Sequence, residues 1–506
     1  MWRLICPLTI DEAPMNATSP ATPQGAPVII WFRRDLRLAD NPALAAAVAS
    51  GRPVIPVFVL EQGPGIRKEG AASLWWLDKS LNALASDLAR RGSRLILKKG
   101  PAERVIPELA AETGACLVTW NRLYDPGLVD RDTRLKKQLR ESGIAAESFN
   151  ASLLVEPWRV RNKAGEPFKV FTPFWRAAQP LLDLSVGVGA PSTLSAPVAW
   201  PRGDELKSWG LHPARPDWSV GFDIWTPGEA GAWARLEAFL ENGLGLYADK
   251  RDFPAVPAVS RLSPHLHFGE IGPRQIFAAL AATEAVSPEV GRSAEKFRAE
   301  LGWREFSHSL LFQRPDLETN NFKSAFDAFP WRQDGRALDA WKRGLTGYPM
   351  VDAGMRELWA TGFMHNRVRM LTASFLAKHL LVDWREGEAW FWDTLVDADR
   401  ASNSASWQWV AGSGADAAPY FRIFSPMGQG EKFDSDGAYV RKWAPELARL
   451  PNAVLHAPWQ ADPLVLKAAG VVLGATYPRP IVDHAFARAR ALAALDESKQ
   501  MHDQTG

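Results

Sequence analysis

The chain has 506 residues, 46% of them hydrophobic, a length and composition that predict a globular protein of roughly two to four domains. Its 59 basic and 57 acidic residues leave a net charge of +2, so the overall charge identifies no polyanionic partner and any such site has to be a local patch. Two cysteines, Cys6 and Cys116, exclude a disulfide framework and fit a reducing cytoplasm.

Residues 1–26 are small, polar and proline-containing, which predicts a disordered tail in which Met15 is an alternative start. The sequence shows no signal-peptide core and no run of about 18 apolar residues. We therefore expect a cytoplasmic protein without a membrane anchor.

An α/β domain is predicted over residues 27–150. Leucines recur at helical spacing between apolar strand-like runs, from Leu74 to Leu88, and Pro101 is placed to open another helix. Strands this apolar fit a doubly wound parallel sheet that is buried on both faces. No GxGxxG or Walker A motif is present, so the sheet does not name its ligand. The four predicted strands are 27–32, 54–60, 94–97 and 116–120.

The rest of the chain is predicted to be a connector followed by helices. Residues 151–224 are rich in Pro and Gly with little periodicity, which indicates an interdomain connector. Strand signals then end and helical periods follow one another, so 225–475 is predicted to be an all-α domain. Residues 476–506 are expected to form a C-terminal helix or tail.

Tryptophan is strongly over-represented, with 23 copies against six tyrosines. Many of them lie between Trp303 and Trp409, interspersed with charged residues. Tryptophan buries a large apolar area, so packing accounts for some of these rings. The charged neighbours suggest that some of these tryptophans have a function besides packing.

Two carboxylates stand two residues apart in Asp397-Ala398-Asp399. Such a pair can hold a divalent metal, as in nucleotide-sugar enzymes, or it can cap a helix, because Asp is favoured at N-caps. No histidine lies nearby in sequence to complete a coordination shell. The spacing alone therefore favours the cap, and no metal is expected.

The segment 363–370 has the character of a buried helix with charged residues. Asn366, Arg369 and Met370 share one face, and a buried arginine needs an acid or an anion, for which Asp397 is the candidate. Near Trp303, Glu300 either pairs with Arg304 along a surface helix or serves a site.

Several motifs together resemble the photolyase and cryptochrome family, in order along the chain from Val28 to about Trp459. Each motif alone is weak, but their order is specific. They are Trp31 to Asn41, Lys250 to Pro254, Ser260 to Pro264, Trp303 to Phe306, Met364 to Arg367 and Asp416 to Phe424.

The resemblance implies an antenna-binding α/β domain and a helical domain that holds FAD. Arg369 is expected to pair with Asp397 beside the flavin ring, so the two aspartates recognise cofactor rather than metal. The implied flavin-site residues are Tyr247, Ser260, Arg261, Leu262, Ser263, Arg369, Asp397, Ala398, Asp399 and Asn403.

The resemblance also implies an electron relay of three tryptophans. Trp407 is expected nearest the flavin, Trp384 next and Trp331 at the surface. An indole can be oxidised to a stabilised radical, and closely spaced rings divide a long transfer into short hops.

Two positions bear on the activity. Asn403 aligns opposite flavin N5, where an amide favours the reduced flavin that repair requires, so an enzyme is favoured over a cryptochrome-like photoreceptor. Asn366 and Met370 replace the two histidines of (6-4) photoproduct enzymes, which favours the cyclobutane pyrimidine dimer. We expect a bacterial enzyme of class I or class III type.

The implied reaction is electron transfer from light-excited reduced FAD to a dimer flipped out of DNA. Glu300, Trp303, Asn366 and Asn403 are the expected catalytic set, with Glu300 on the base edge and Trp303 against the bases. Phe363 stands where many relatives have a second stacking tryptophan. The expected DNA-binding residues are Arg251, Glu300, Trp303, Phe363, Asn366, Arg367, Met370, Arg422 and Gln429.

An antenna is expected near the loop from Trp120 to Pro126, which matches the family. The prediction is a reduced folate, 5,10-methenyltetrahydrofolate, with 8-hydroxy-deazaflavin as the alternative. UV-damaged DNA is the expected partner of a monomer that needs no other protein. A metal-dependent glycosyltransferase, suggested by the two aspartates alone, would be colourless.

Overall fold

A computed structural model describes residues 25–505, apart from positions 64, 186 and 418–420. Almost all of the predicted tail 1–26 lies outside the described residues, and so do Cys6 and Met15. In the part that is described, no helix combines the length and apolarity needed to cross a membrane.

The N-terminal region contains one five-stranded parallel sheet. Its strand order is β3-β2-β1-β4-β5, which places β1 in the centre with every residue buried. Val28 of β1 faces Val54 on one side and Leu117 on the other. The strands are β1 Val28–Phe32, β2 Val54–Glu61, β3 Ile96–Gly100, β4 Leu117–Asn121 and β5 Ala145–Phe149.

The helices between the strands cover both faces of the sheet and complete the predicted doubly wound domain. Asn41 caps the first of them, where its side chain accepts from the Leu44 backbone N–H at 3.1 Å. Gly114 ends the third with a left-handed φ of 64°. These helices are α1 Pro42–Ala49, α2 Ala71–Ala89, α3 Ala102–Thr113 and α4 Pro126–Glu141.

The all-α prediction for the second domain is confirmed, since the described residues contain no strand after Phe149. The helices are α5 Phe171–Ala178, α6 Glu229–Asn242, α7 Leu244–Lys250, α8 Ser263–His267, α9 Pro273–Val286, α10 Gly291–Gln313, α11 Gly335–Lys342, α12 Pro349–Thr361, α13 Asn366–Ser374, α14 Trp384–Thr394, α15 Arg400–Ala411, α16 Pro426–Phe433, α17 Ala438–Trp443, α18 Asn452–Leu455, α19 Pro463–Ala469 and α20 His484–Thr505. The 151–224 segment adds α5 and short 3₁₀ turns.

Aromatic side chains join the two domains. Trp76 of α2 stacks on Phe268 at 6.1 Å and meets Trp225 edge-on at 5.4 Å, and its indole N–H donates to Glu270 at 3.0 Å. Helix α2 also packs on α14. Part of the tryptophan excess therefore stabilises this interface, as the packing interpretation expects.

Candidate functional site

The centre of the candidate site is an ion pair between α13 and the loop before α15. Arg369 Nη2 lies 2.8 Å from Asp397 Oδ2, which also accepts from Ser263 Oγ at 2.5 Å. The Arg369 Nε donates to the Met364 carbonyl oxygen at 2.7 Å, so two contacts fix the guanidinium. The predicted pairing of Arg369 with Asp397 is confirmed.

Asp399 caps α15, as the spacing of the two aspartates suggested. Its Oδ1 accepts from the Ser402 backbone N–H at 2.8 Å. Its Oδ2 lies 3.7 Å from His308 Nε2 and 3.9 Å from His267 Nδ1. Burial lowers the pKa of His308 to about 4 and also lowers that of His267, so both imidazoles are neutral at pH 7.

Several buried polar atoms around these aspartates form no hydrogen bond in the described part of the chain. They are Oδ1 of Asp397 and both ring nitrogens of His267 and His308. Buried polar atoms are nearly always hydrogen-bonded, so a cluster of this kind fits a polar ligand. Carboxylate, hydroxyl and guanidinium groups together suit the N–H, hydroxyl and phosphate groups of a dinucleotide. Across residues 25–63, 65–185, 187–417 and 421–505, no three His, Cys, Asp or Glu side chains gather as metal ligands would.

The loop before α8 supplies the remaining predicted cofactor residues. Ser260 Oγ accepts from the Leu262 backbone N–H at 3.3 Å, and Arg261 has a left-handed φ of 53°. Leu262 is buried, as is Ala398 beside the ion pair. Tyr247 lies within the helical core, where its ring meets Phe297 edge-on at 5.2 Å.

Phe363 corrects one expectation. Its ring is 7% exposed and meets Trp225 edge-on at 5.8 Å. The guanidinium carbons of Arg261 and Arg369 lie 5.2 and 5.1 Å from its centroid. Because the ring is 7% exposed and has these neighbours, it presents little surface for stacking on a DNA base. It supports two arginines of the candidate cofactor site instead.

Asn403 lies on α15, one turn after the Asp399 cap, and is 8% exposed. Its amide nitrogen donates to the Glu388 backbone oxygen at 3.0 Å and to Glu388 Oε1 at 2.8 Å. The Asn403 carbonyl oxygen forms no hydrogen bond within the described residues, so it is the group available to a ligand.

The three predicted relay tryptophans run from the interior towards the surface. Trp407 and Trp384 are 2% and 0% exposed, whereas Trp331 is only partly buried. Trp384 and Gly387 lie in the first turn of α14, and Gly387 leaves no room for a Cβ against the Trp407 ring. The Arg332 backbone N–H donates to the Leu381 carbonyl at 2.7 Å, which brings Trp331 close to the start of α14.

A second group of predicted residues surrounds α10. Glu300 pairs with Arg251 of the neighbouring loop, and the suggested Glu300–Arg304 pair is not formed. Arg304 donates to the Ser152 carbonyl at 2.7 Å instead. Trp303, one turn from Glu300, is partly buried and stacks on Phe171 with centroids 3.9 Å apart.

The remaining predicted DNA-binding residues lie on α13, on α16 and in the loop before α16. Arg367 pairs with Asp252 at 2.8 Å and lies 4.5 Å from the Phe433 ring, while Asn366 at the start of α13 is exposed. Arg422 is exposed, and Gln429 is half-buried with an Oε1 that has no partner among the described residues. Met370 packs against the helical core.

The fold and the site define a class: a two-domain protein whose helical part has a buried polar cluster suited to a dinucleotide. Residues 28–193 match the family model described as DNA photolyase, and residues 297–497 match the FAD binding domain of DNA photolyase.

Known proteins resemble the chain over nearly its full length. A deoxyribodipyrimidine photo-lyase from Agrobacterium fabrum is 54% identical over 94% of this chain and 98% of its own, and cryptochrome-2 of Arabidopsis thaliana is 39% identical over 94% and 80%. The crystal structure of a bacterial class III photolyase from Agrobacterium tumefaciens superposes with a TM-score of 0.91, at 52% identity over 96% of this chain and all of that one. The chain belongs to the DNA photolyase and cryptochrome family.

Three side chains of the site were not anticipated from the sequence. Phe171 lies in the predicted connector and supplies the stacking partner of Trp303. Glu388 accepts from the Asn403 amide nitrogen, and the Glu388 carboxylate is itself paired with Arg67, which lies 321 positions away in the sequence. For Glu388 alone the sequence contains a signal: it stands four residues after Trp384, on the same face of a largely apolar helix, so a buried carboxylate could have been predicted there.

Proposed function

We propose that this protein repairs cyclobutane pyrimidine dimers in UV-damaged DNA, using light and a bound FAD. When bound and reduced, FAD supplies an excited electron that splits the cyclobutane ring of the dimer and then returns. The observation that carries the proposal is the buried Asn403 amide, whose nitrogen is held by Glu388 and whose carbonyl oxygen has no hydrogen-bond partner among the described residues.

The helical domain provides the groups that would hold FAD. Asp397 and Arg369 orient each other and would fix one edge of the flavin ring, and Ser263 supplies a hydroxyl to the same cluster. His267 and His308 are neutral at pH 7, and their ring nitrogens, which have no hydrogen-bond partner within the described part of the chain, can donate to or accept from the cofactor. Phe363 keeps the guanidiniums of Arg261 and Arg369 in place.

The lesion would enter over α10 after being flipped from the duplex, which costs least where pairing is already broken. Arg251 fixes the carboxylate of Glu300, which accepts hydrogen bonds from the base edge. Trp303 offers an indole face backed by Phe171, and Asn366 lies exposed at the start of α13. Arg251, Arg367 and Arg422 would neutralise phosphates, with Gln429 and Met370 at the margin.

Trp407, Trp384 and Trp331 would carry electrons from the surface to oxidised FAD. Trp407 and Trp384 are shielded from water, and only Trp331 reaches the exterior. This order suits one-way supply, because the radical formed last lies where an external reductant can meet it.

The second candidate is a cryptochrome-like photoreceptor, which the similarity to a plant cryptochrome supports. A photoreceptor of that kind would show no preference for damaged DNA. The amide at position 403 favours repair.

An antenna is proposed beside the loop from Trp120 to Pro126, where Asp125 precedes helix α4 at the carboxyl edge of the sheet. The proposed antenna is 5,10-methenyltetrahydrofolate, with 8-hydroxy-deazaflavin as the alternative. Extraction and absorption spectroscopy of the purified protein distinguish them. We further propose a monomer that acts in the cytoplasm without an obligate protein partner.

The test of the lesion site compares Glu300→Gln with Glu295→Gln, an exposed position on the same helix. With prereduced protein under blue light, E300Q is expected to repair dimers at least tenfold more slowly, whereas E295Q keeps the parent rate. Equal rates for all three proteins would contradict the assignment of Glu300.

A further inference from the structure

The orientation of the Asn403 amide is fixed by its surroundings. Its nitrogen lies within 3.0 Å of two acceptors, the backbone oxygen and the Oε1 of Glu388. An amide oxygen in that position would face two other oxygens, so the nitrogen has to occupy it. Asn403 Oδ1 therefore points away from Glu388.

Glu388 is itself held by an arginine of the other domain. Arg67 lies in the loop between β2 and α2, and its two terminal nitrogens reach the two carboxylate oxygens of Glu388 at 2.7 and 2.8 Å. Such a bidentate pair fixes direction as well as distance. The Glu388 side chain is 5% exposed, so little water competes for it.

Arg67 is anchored on two further sides. Its guanidinium carbon lies 3.9 Å from the centroid of the Trp392 ring, and the Trp392 indole N–H donates to the Lys68 carbonyl at 2.8 Å. Its Nη1 also lies 2.5 Å from Glu318 Oε1. A planar guanidinium stacked on one face and bridged to two carboxylates has little freedom to rotate.

We propose that Arg67 is a positioning residue: acting across the domain interface through Glu388, it keeps Asn403 Oδ1 turned towards flavin N5 and so raises the reduction potential of bound FAD. The inference rests on the proposed place of Asn403 opposite N5. Two electrons and one proton convert oxidised FAD to the reduced anion, and the proton resides on N5. A fixed carbonyl oxygen accepts from that N–H and has no donor to meet on the oxidised ring.

Removing Arg67 frees the Glu388 carboxylate from this bidentate partner. The amide can then turn, and an N–H facing N5 favours the oxidised ring, where N5 is an acceptor. We expect the equilibrium to move about tenfold towards oxidised FAD, which is about 30 mV for a two-electron couple.

The experiment measures the midpoint potential of bound FAD by dithionite titration in wild type, Arg67→Met, Arg67→Lys and Asn403→Leu. Arg274→Met is the matched control, because Arg274 forms another interdomain ion pair, with Asp40 at 2.9 Å, that does not contact Glu388. Near-ultraviolet circular dichroism and FAD stoichiometry check the fold of each variant.

We expect lower potentials in R67M and N403L, an intermediate value in R67K and an unchanged value in R274M. An unchanged potential in R67M while N403L falls overturns the inference and leaves Asn403 in place. No fall in N403L means that the position of Asn403 opposite N5 is itself wrong. An equal fall in R274M would attribute the effect to a loosened interface. Should R67M not bind FAD, Glu388→Leu replaces it, because leucine removes both the partner of Arg67 and the side-chain acceptor of Asn403; an unchanged potential there overturns the inference.

Discussion

The Asp397 carboxylate is the anchor of the proposed flavin site, and Asp397→Asn tests it. Asp397 Oδ2 accepts from Arg369 Nη2 at 2.8 Å and from Ser263 Oγ at 2.5 Å. Hydrogen bonds to charged groups contribute about 1.5–3 kcal/mol. The amide keeps one acceptor oxygen but loses the charge that holds Arg369. We expect a loss of about 2 kcal/mol of FAD binding free energy, which raises the Kd about 30-fold.

The assay is a titration of the apoprotein with FAD, in which binding is monitored by flavin fluorescence. Asp339→Asn is the control, because Asp339 forms an exposed pair with Arg343 on α11, where the same change removes a weak interaction. D339N should bind FAD as wild type does. An unchanged Kd in D397N, or an equal rise in D339N, would contradict the place of Asp397 in the flavin site.

Three further predictions concern the relay, the packing of Gly387 on Trp407 and a buried carboxyl group on α10. Trp407→Phe should slow photoreduction of oxidised FAD sharply and leave repair by prereduced protein nearly intact; equal losses in both assays would count against the relay. Gly387→Ala should displace the Trp407 ring and lower the midpoint of thermal unfolding, because a Cβ has no room there. Burial raises the pKa of Glu305 to about 7, so the folded protein favours the neutral carboxyl group and ionisation opposes folding. The stability that the neutral form contributes is complete below pH 4.5 and is lost as the pH rises through 7. The free energy of unfolding of Glu305→Gln, measured with urea, should therefore rise by about 2 kcal/mol relative to that of wild type between pH 5 and pH 8. A difference that stays constant with pH would contradict the raised pKa.

The sheet domain and the helical domain follow from local patterns. Strands β1, β2 and β4 lie largely within apolar runs, and the leucines of α2 recur at helical spacing, so hydrophobic periodicity locates them. Strand β3 begins in the predicted run 94–97 but continues to Gly100 through Lys98 and Lys99, which the apolar pattern does not predict. Strand β5 escapes this test, because its sequence, Ala145–Phe149, has small and charged residues and lies at the sheet edge. Edge strands need less apolar surface, and their pairing is decided by neighbours elsewhere in the chain.

The site is only partly a local property. The Asp397–Arg369 pair is predictable because a buried guanidinium requires an acid and one stands 28 residues away. The partner of Glu300 cannot be predicted in this way, because the sequence allows both an intrahelical pair with Arg304 and a long-range pair with Arg251. Phe363 looks like a stacking residue in sequence, and only the packing of Trp225 against it shows that the ring is enclosed.

A repair assay is the most direct test of the proposed function, light-driven repair of pyrimidine dimers. Purified protein with dithionite-reduced FAD is mixed with an oligonucleotide that carries one thymine dimer, and the remaining dimer is measured after blue light and in the dark. We expect loss of the dimer only in the light, with restored thymines as the product. Intact dimers after illumination, under conditions where a known repair enzyme removes them, would contradict it.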